Sequence, residues 1–530
     1  MTTQKLRYVV DRLRGLLRPP ITVRAAPVAE AVFERDVAVT VRDGTVLRVN
    51  VFRPPGEGTH PAILCAHPYG KDNLPTPKRG GGFKVAMQYR LLRMPEPVSF
   101  SAWTSWEAPD PAHWVSRGYA VVNCDLRGCG TSEGVGDLLS PAESDDYHDL
   151  IEWAAAQPWC SGKVGLNGVS YLALSQYGAA ATQPPSLAAI CPWEGFTDPY
   201  RDLLFPGGVR EDGFVKLWAR GLKGARLAYD LREEQLRRPL RDAVWASRAP
   251  DLAKVRVPML VCGSFSDNNL HSRGSIRAFE EVGSEQRWLY THRGGKWCTY
   301  YSAGALAAQE RFFDHFLKGV DNGMDSQPPV RLEVREDRET IHSVRHEESW
   351  PPAGVRWGEL PLGADGRLGE EAPASGVVDF ATAKGRARWR WRVPRDLELS
   401  GPMTLRLRVS IEGAEHANLF AGVEKWRDGR FVPFEGSYGF GLDRVTTGWL
   451  KLTRSDVHEV EVELGPSATF FRAGEEIRLV LGGRWMHPRN PITGQYPAAY
   501  EPSPGSTVRI HCGGEPAPRL LVPVIDSQAG

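Results

Sequence analysis

The chain lacks several features that would announce a function outright. No run of about 18 apolar residues occurs, so no transmembrane helix is expected. Charge of one sign is also missing: 65 Lys and Arg oppose 64 Asp and Glu, a formal net charge of +1. That balance removes the electrostatic case for a dedicated nucleic-acid binder. There is no CxxC and no HExxH, so no metal-ligand spacing is present and no metal is expected. The eight cysteines follow no pairing pattern, and several lie in apolar runs such as AILCAH and MLVCGS. They read as reduced packing residues, which points to a cytoplasmic protein. The first residues, MTTQKLRYVVDRLRGLLRPP, carry charges every few positions and hold no apolar core of a secretion signal. GCGTSEG (128–134) lacks both GxGxxG spacing and a phosphate-loop lysine, which argues against a nucleotide cofactor. No repeat at a fixed period is visible.

What remains is a 530-residue chain, 42% hydrophobic, long enough for two to four domains with full cores. Residues 5–18 read as an amphipathic surface helix, with membrane-surface anchoring as the sharper alternative. Residues 36–53 alternate apolar and polar side chains around Asp43-Gly44, a hairpin signal. Short, nearly continuous apolar runs follow: 61–68, 119–128, 162–170, 187–193, 257–264 and 286–292. Strands buried on both faces read this way, as in a parallel sheet covered by helices. Helical stretches at 143–157, 171–181, 272–282 and 302–318 lie between or after them, which gives an α/β doubly wound sheet.

Two stretches interrupt the alternation. Residues 71–117 are rich in Gly and Pro and carry Trp103, Trp106 and Trp114. Residues 196–254 read as charged amphipathic helices inserted as a cap. Beyond residue 325 the pattern is strictly alternating, with turn residues between segments, as in an all-β sandwich. The expected organisation is a sheet domain in two parts, 1–195 and 255–325, a helical cap at 196–254, and a sandwich at 326–530. The Arg-rich strands of the sandwich read as one solvated sheet face rather than as a binding surface.

KVGLNGVSYLALSQYGAA (163–180) runs from a strand through Gly168-Val169-Ser170-Tyr171 into a helix. A nucleophilic serine needs such a turn, which exposes Oγ at the positive end of a helix. Leu172 stands where strict GxSxG would place glycine, and on spacing alone a structural serine is an equal reading. Context favours the nucleophile. Asp267 follows the strand 257–264 and His292 ends the strand 286–292, in the order Ser, acid, base used by α/β-hydrolases. Both would lie at the carboxyl edge of the sheet, where ligands bind in such folds. His271 and His315 are the other candidate bases, but neither directly follows a strand. The backbone N–H of Tyr171 supplies one oxyanion donor. Tyr69, in the loop AHPYGKD, either supplies a second through its hydroxyl or packs over that loop.

These stretches resemble the X-Pro dipeptidyl-peptidase and cocaine-esterase-like (CocE/NonD) hydrolases. The resemblance rests on VRDGTVLRVNVFRP, HPYGKD, GYAVVNCDLRGCGTSEG, GKVGLNGVSYLALSQ, SFSDNNLHSRGS, THRGGKW and RFFDHFLKG, in order. It implies Ser170 as nucleophile, Asp267 as acid, His292 as base, and Tyr69 with Tyr171 as oxyanion hole. It also implies a jelly roll after residue 325. Ala173 departs from the family's Gly-x-Ser-Tyr-x-Gly, Phe265 stands where Trp is common, and THRGGKW differs from Pro-Trp-x-His.

The expected activity is hydrolysis of an ester or amide through an acyl-enzyme, without cofactor. A peptidase or amino-acid ester hydrolase, an acyltransferase and a non-catalytic binder are the competing readings. The aromatic insert, the cap and one edge of the sandwich would wall the acyl pocket, with Trp193, Phe265, Trp103, Trp106 and Phe214 as lining candidates. Glu194, after a strand, and Glu211 and Asp212, in the cap, stand with Arg201 and Arg210; paired among themselves, these leave an apolar wall suited to a neutral acyl group. The partners expected are a small-molecule ester or amide and, at most, a second copy of the chain as a homodimer, with no nucleic acid and no membrane span.

Overall fold

The computed structural model describes residues 3–92, 94–369, 374–436, 442–487 and 497–526. Nine strands form the central sheet: β1 (Val32–Thr40), β2 (Val46–Arg53), β3 (His60–His67), β4 (Ala120–Asp125), β5 (Cys160–Val169), β6 (Leu187–Trp193), β7 (Met259–Ser264), β8 (Arg287–His292) and β9 (Val330–Arg335). Their spatial order is β1-β2-β4-β3-β5-β6-β7-β8-β9. From β4 to β9 neighbours run parallel. β2 runs antiparallel to β4 and pairs with β1 in the hairpin expected around Gly44, whose φ of 87° suits a residue without Cβ. All six residues of β4 and of β7 are buried, as in strands covered on both faces, and the polar Asn123 and Asp125 of β4 are hydrogen-bonded there to Ser105 and Lys71.

The helices that matter for the site are α1 (Pro141–Ala155), α2 (Tyr171–Ala181), α3 (Phe214–Gly221), α4 (Leu231–Arg237), α5 (Ser272–Glu281), α6 (Lys296–Tyr300) and α7 (Ala303–Lys318). Their ends follow from local chemistry. Ser140 caps α1, with Pro141 at its first position. Asp230 caps α4 through the N–H groups of Arg232 and Glu233, and Gly319, at φ 72°, closes α7. α3 and α4 fall in the stretch between β6 and β7 that the sequence marks as a cap.

The C-terminal strands are β10 (Arg356–Pro361), β11 (Arg386–Arg392), β12 (Leu397–Glu412), β13 (Ala417–Arg427), β14 (Thr446–Leu452), β15 (His458–Phe471), β16 (Glu476–Gly482), β17 (Thr507–Cys512) and β18 (Arg519–Asp526). One sheet runs β10-β18-β12-β15, with β17 also paired to β12; the other runs β11-β16-β13-β14. Leu405, Val462 and Leu520 of the first share a core with Trp389, Leu419 and Leu479 of the second. The two parts of the molecule are continuous. β9, which a division at residue 326 would allot to the sandwich, pairs with β8 on one side and touches β15 at Arg335–Thr469 on the other. Arg293, just past β8, reaches into the sandwich and bonds Ser467 Oγ, Thr469 Oγ1 and the carbonyl of Val445.

All eight cysteines are free and buried. Among the described residues no helix is long and apolar enough to cross a membrane.

Candidate active site

Ser170 stands between β5 and α2 with φ 59° and ψ −116°, a backbone conformation that non-glycine residues rarely hold. Its N–H is tied to the Trp193 carbonyl at 3.1 Å. Two small residues make the turn possible. A Cβ at Gly168 (φ 142°) would come within 2.5 Å of the Leu172 Cβ. A Cβ at residue 195 would come within 2.8 Å of the Ala173 Cβ, so Gly195 makes the room that the Ala173 methyl occupies.

The imidazole that faces Ser170 belongs to His271. Ser170 Oγ donates to His271 Nε2 at 3.2 Å, and His271 Nδ1 donates to Asp267 Oδ2 at 2.5 Å. The loop after β7 creates this geometry. The Asp267 carbonyl accepts from the N–H groups of Leu270, His271 and Ser272, each at 3.2 Å, so the chain turns tightly into α5. The turn brings His271 back over the carboxylate four residues before it. The Phe196 ring stacks on the imidazole, with centroids 5.9 Å apart.

His292, the base expected from strand order, sits elsewhere. Its Nε2 donates to Glu194 Oε1 at 3.0 Å, and its Nδ1 accepts from the Gly294 N–H at 3.2 Å. Glu194 also accepts from Ser264 Oγ at 2.7 Å. The physical reason is the register: His292 pairs with Ser264 at the end of β8, which turns its ring along the sheet edge toward the end of β6. His315 lies on α7, with its Nδ1 at 3.1 Å from the Val320 carbonyl.

Lys296, in the first turn of α6, completes the cluster. Its Nζ lies 2.7 Å from Asp267 Oδ2 and 2.8 Å from His271 Nδ1. Burial raises the Asp267 carboxyl, but Lys296 and His271 overcome that and hold it well below the usual carboxylate range. Burial lowers the His271 imidazole, and Lys296 lowers it further against the pull of Asp267, which keeps the ring neutral near pH 7. Behind them, burial pushes Glu107 up to about 8, although it accepts from Trp297 Nε1 at 3.2 Å.

Tyr69 and Tyr171 flank the serine. The Tyr171 N–H is in the first turn of α2 and has no intrahelical acceptor. Tyr171's own hydroxyl is directed away, donating to Glu143 at 2.7 Å. Tyr69 OH accepts from Trp218 Nε1 at 3.2 Å, a bond that leaves its proton uncommitted. Burial raises the Tyr69 phenol well above its ordinary value, so it remains a neutral donor. Lys71 anchors this loop; its buried ammonium lies 2.8 Å from both Asp36 and Asp72, and its N–H bonds Asp125. The GCGTSEG turn wraps the same aspartate, since a Cβ at Gly130 would collide with the Asp125 carboxylate.

The five expected lining aromatics divide. Phe214 stacks on Trp218 over the Tyr69–Tyr171 pair, and Trp106 abuts Trp297, with centroids 5.1 Å apart. The other three, buried like Trp106, pack away from Ser170. Trp193 packs on Tyr290 and Tyr300, Trp103 on Phe33 and Phe52, and Phe265 on Trp350. Trp193 shares the face of Cys191 because two residues along a strand return to one side. Sequence reading passed over Lys296 and Glu107. Only Lys296 carried a signal, as the cation in the departure THRGGKW.

Glu194, Cys262 and His292 bring donor atoms within 4.8 Å of one another. The imidazole and carboxylate already satisfy each other, and burial holds the Cys262 thiol far above its usual value. The trio fits a hydrogen-bonded brace better than a metal site, because a metal ligand must be deprotonated.

Residues 43–295 match the family model of the X-Pro dipeptidyl-peptidase (S15 family), and residues 322–520 that of the X-Pro dipeptidyl-peptidase C-terminal non-catalytic domain. The crystal structure of a CocE/NonD family hydrolase from Staphylococcus aureus superposes with a TM-score of 0.86 at 32% identity, covering 93% of this chain and 94% of that one. An aminopeptidase from a marine-sediment Thaumarchaeota archaeon shares the fold, with a TM-score of 0.73 at 18% identity over 94% of this chain and 97% of its own. The cocaine esterase of Rhodococcus sp. (strain MB1 Bresler) is 24% identical over 92% of this chain and 98% of its own. The chain belongs to the X-Pro dipeptidyl-peptidase and cocaine-esterase-like (CocE/NonD) family of α/β-hydrolases.

Proposed function

We propose that this protein is a serine esterase that cleaves a carboxylic ester of a neutral acyl group through an acyl-enzyme at Ser170. The observation that carries the reading is the line of contacts from Ser170 Oγ through His271 to Asp267. His271 Nε2 takes the serine proton as Oγ attacks the ester carbonyl carbon. The oxyanion that forms is met by the Tyr171 N–H and the Tyr69 O–H. The carbon–oxygen bond to the alcohol then breaks, and the imidazolium hands its proton to the departing oxygen. Water attacks the acyl-serine with His271 again as base, which releases the acid and restores the serine. Asp267 orients the imidazole and stabilises its charged form.

The acyl preference rests on where the carboxylates go. Glu194 is engaged by His292 and Ser264. Glu211 accepts from the N–H groups of Gly213, Phe214, Val215 and Ala499. Asp212 is held by Arg210 and Arg232. None of the three is left over to meet a substrate ammonium, which would be costly to bury without a counter-charge. One observation favours the amino-acid ester hydrolase or peptidase reading instead: Glu107 Oε2 is buried without a hydrogen-bond partner. The two readings separate on matched nitrophenyl esters. The expected result is a higher kcat/KM on a short acyl ester than on an aminoacyl ester of the same size, with turnover surviving N-acetylation of the latter. A strict requirement for the free amine would reverse the assignment.

Tyr69→Phe tests the oxyanion hole. It should lower kcat by about 10²–10³-fold, the usual effect of deleting one such donor. KM should change little, because the bond strengthens mainly in the transition state. An unchanged kcat would leave Tyr69 as a packing residue.

Two coarser features accompany the reading. The C-terminal strand order supports a jelly roll, with the chain crossing repeatedly between two packed sheets. Eight free, buried cysteines support a reducing, cytoplasmic setting.

A further inference from the structure

Most serine triads end at the carboxylate that orients the base. Here Asp267 Oδ2 is shared between two donors, His271 Nδ1 and Lys296 Nζ, and the two nitrogens are only 2.8 Å apart. The sharing is built in. Lys296 is buried, as are Asp267 and His271. The lysine is fixed at the start of α6, directly after the Gly294-Gly295 turn that leaves β8. A Cβ at Gly295 would come within 2.5 Å of the Pro95 ring, so only glycine lets the chain pass here.

We propose that Lys296 is a positioning residue of the catalytic centre: its ammonium holds Asp267 ionised and destabilises the imidazolium, so that the enzyme works further into the acid range than an ordinary triad. The proposal rests on the reading of Ser170 as the nucleophile and His271 as its base.

The argument is electrostatic and local. The ionised Asp267 carboxylate is the acceptor that keeps the His271 proton on Nδ1, and the ammonium, which can only donate, turns to that carboxylate as well. Both groups therefore point their protons at the same carboxylate oxygen. A second positive charge on the ring would face that ammonium across 2.8 Å in a water-poor site, where like charges interact strongly. The groups packed around His271 are Asp267 from its own loop, Lys296 from α6 and Glu194 from the end of β6, with His292 and Glu107 behind them. Burial works against the Lys296 ammonium, but Asp267, Glu194 and Glu107 together raise it, so the cation persists where the imidazole has already lost its proton. A less basic imidazole is also a stronger acid once protonated, and it passes its proton more readily to a departing alkoxide.

The test is the pH dependence of kcat/KM on a neutral nitrophenyl ester for the wild type, Lys296→Met and Lys296→Arg. Acid inactivation follows protonation of the base, so the limb marks the His271 pKa in the free enzyme. Removing the cation should move the limb of Lys296→Met to higher pH by about one unit or more, the usual reach of a charge within about 4–6 Å. Lys296→Arg keeps the charge and should keep the limb low. A folded Lys296→Met enzyme whose limb overlays the wild type, whatever its kcat, would overturn the proposal. Should that variant fail to fold, Lys296→Gln, which keeps a donor for Asp267 without the charge, takes its place and should move the limb the same way; a limb that overlays the wild type overturns the proposal there too. The rate of fluorophosphonate labelling at Ser170 should fall through an inflection clearly below about 6.5, the ordinary imidazole value. An inflection at or above that value overturns the proposal. Labelling also keeps the two claims apart: a wild type that is not labelled at Ser170 refutes the serine-hydrolase reading itself, whereas normal labelling with an unmoved limb refutes only the role of Lys296.

Discussion

Ser170→Ala should lose on the order of 10⁶-fold in kcat on any ester the wild type hydrolyses, the loss expected when the nucleophile of a triad is removed. Only one hydroxyl disappears, and the strained turn that holds it is fixed by other groups. The backbone bond from Ser170 N–H to the Trp193 carbonyl and the glycines at 168 and 195 remain. The variant should therefore fold like the wild type, by circular dichroism and thermal unfolding, and bind substrate with little change in KM. Alanine is a mild replacement at φ 59°, where any side chain is already strained. It removes the Oγ without adding bulk against His271. Retention of a tenth of the wild-type rate would show that another group attacks the ester and would leave Ser170 as a structural serine in a strand-to-helix turn.

The sheet and the elbow could be read from sequence because each is dictated by residues close together in the chain. AVVNCD and MLVCGS are short and mostly apolar on both faces, which reads as strands covered on both sides. The turn at Ser170 announces itself by the small residues its backbone needs. RARWRWR reads as an alternating strand because its pleat sends Ala387 and Trp389 inward and the intervening arginines outward.

The histidine that faces Ser170 was harder to read because its position depends on how a loop closes. Strand order favours the histidine that ends β8, and His292 has that position. Yet a residue in register with Ser264 at the sheet edge is aimed by the pleat, and the pleat aims it at Glu194. His271 arrives instead by a turn whose three N–H groups share the Asp267 carbonyl, a convergence that no spacing in FSDNNLH records. The pocket aromatics misled for a related reason. Trp193 closes a strand beside the site, but its ring is committed to the opposite face, with Tyr290 and Tyr300. Lys296 was legible only as a departure from the family's Pro-Trp-x-His, and its meaning needed the third dimension.

A paired substitution separates the two histidines. His271→Ala should lower kcat on the order of 10⁵–10⁶-fold, since losing the base of a triad costs about as much as losing the nucleophile. His292→Gln should stay within about tenfold of the wild type, under about 1.4 kcal/mol of barrier. Glutamine keeps an N–H donor for Glu194 Oε1, whereas alanine would leave that buried oxygen without its donor and destabilise the fold, confusing the reading. The stability readouts should run the opposite way to the rates. His271→Ala removes a ring stacked on Phe196 but leaves Asp267 paired with Lys296, so the carboxylate keeps a counter-charge and the fold survives. His292→Gln disturbs the Glu194–Ser264 brace that ties β6 to β7, and its melting temperature should drop while turnover persists. The reverse pattern, a dead His292→Gln enzyme beside an active His271→Ala, would return the catalytic role to the strand-end histidine. It would also mean that the serine leaves its partner at 3.2 Å to react through one that the Glu194 carboxylate now holds.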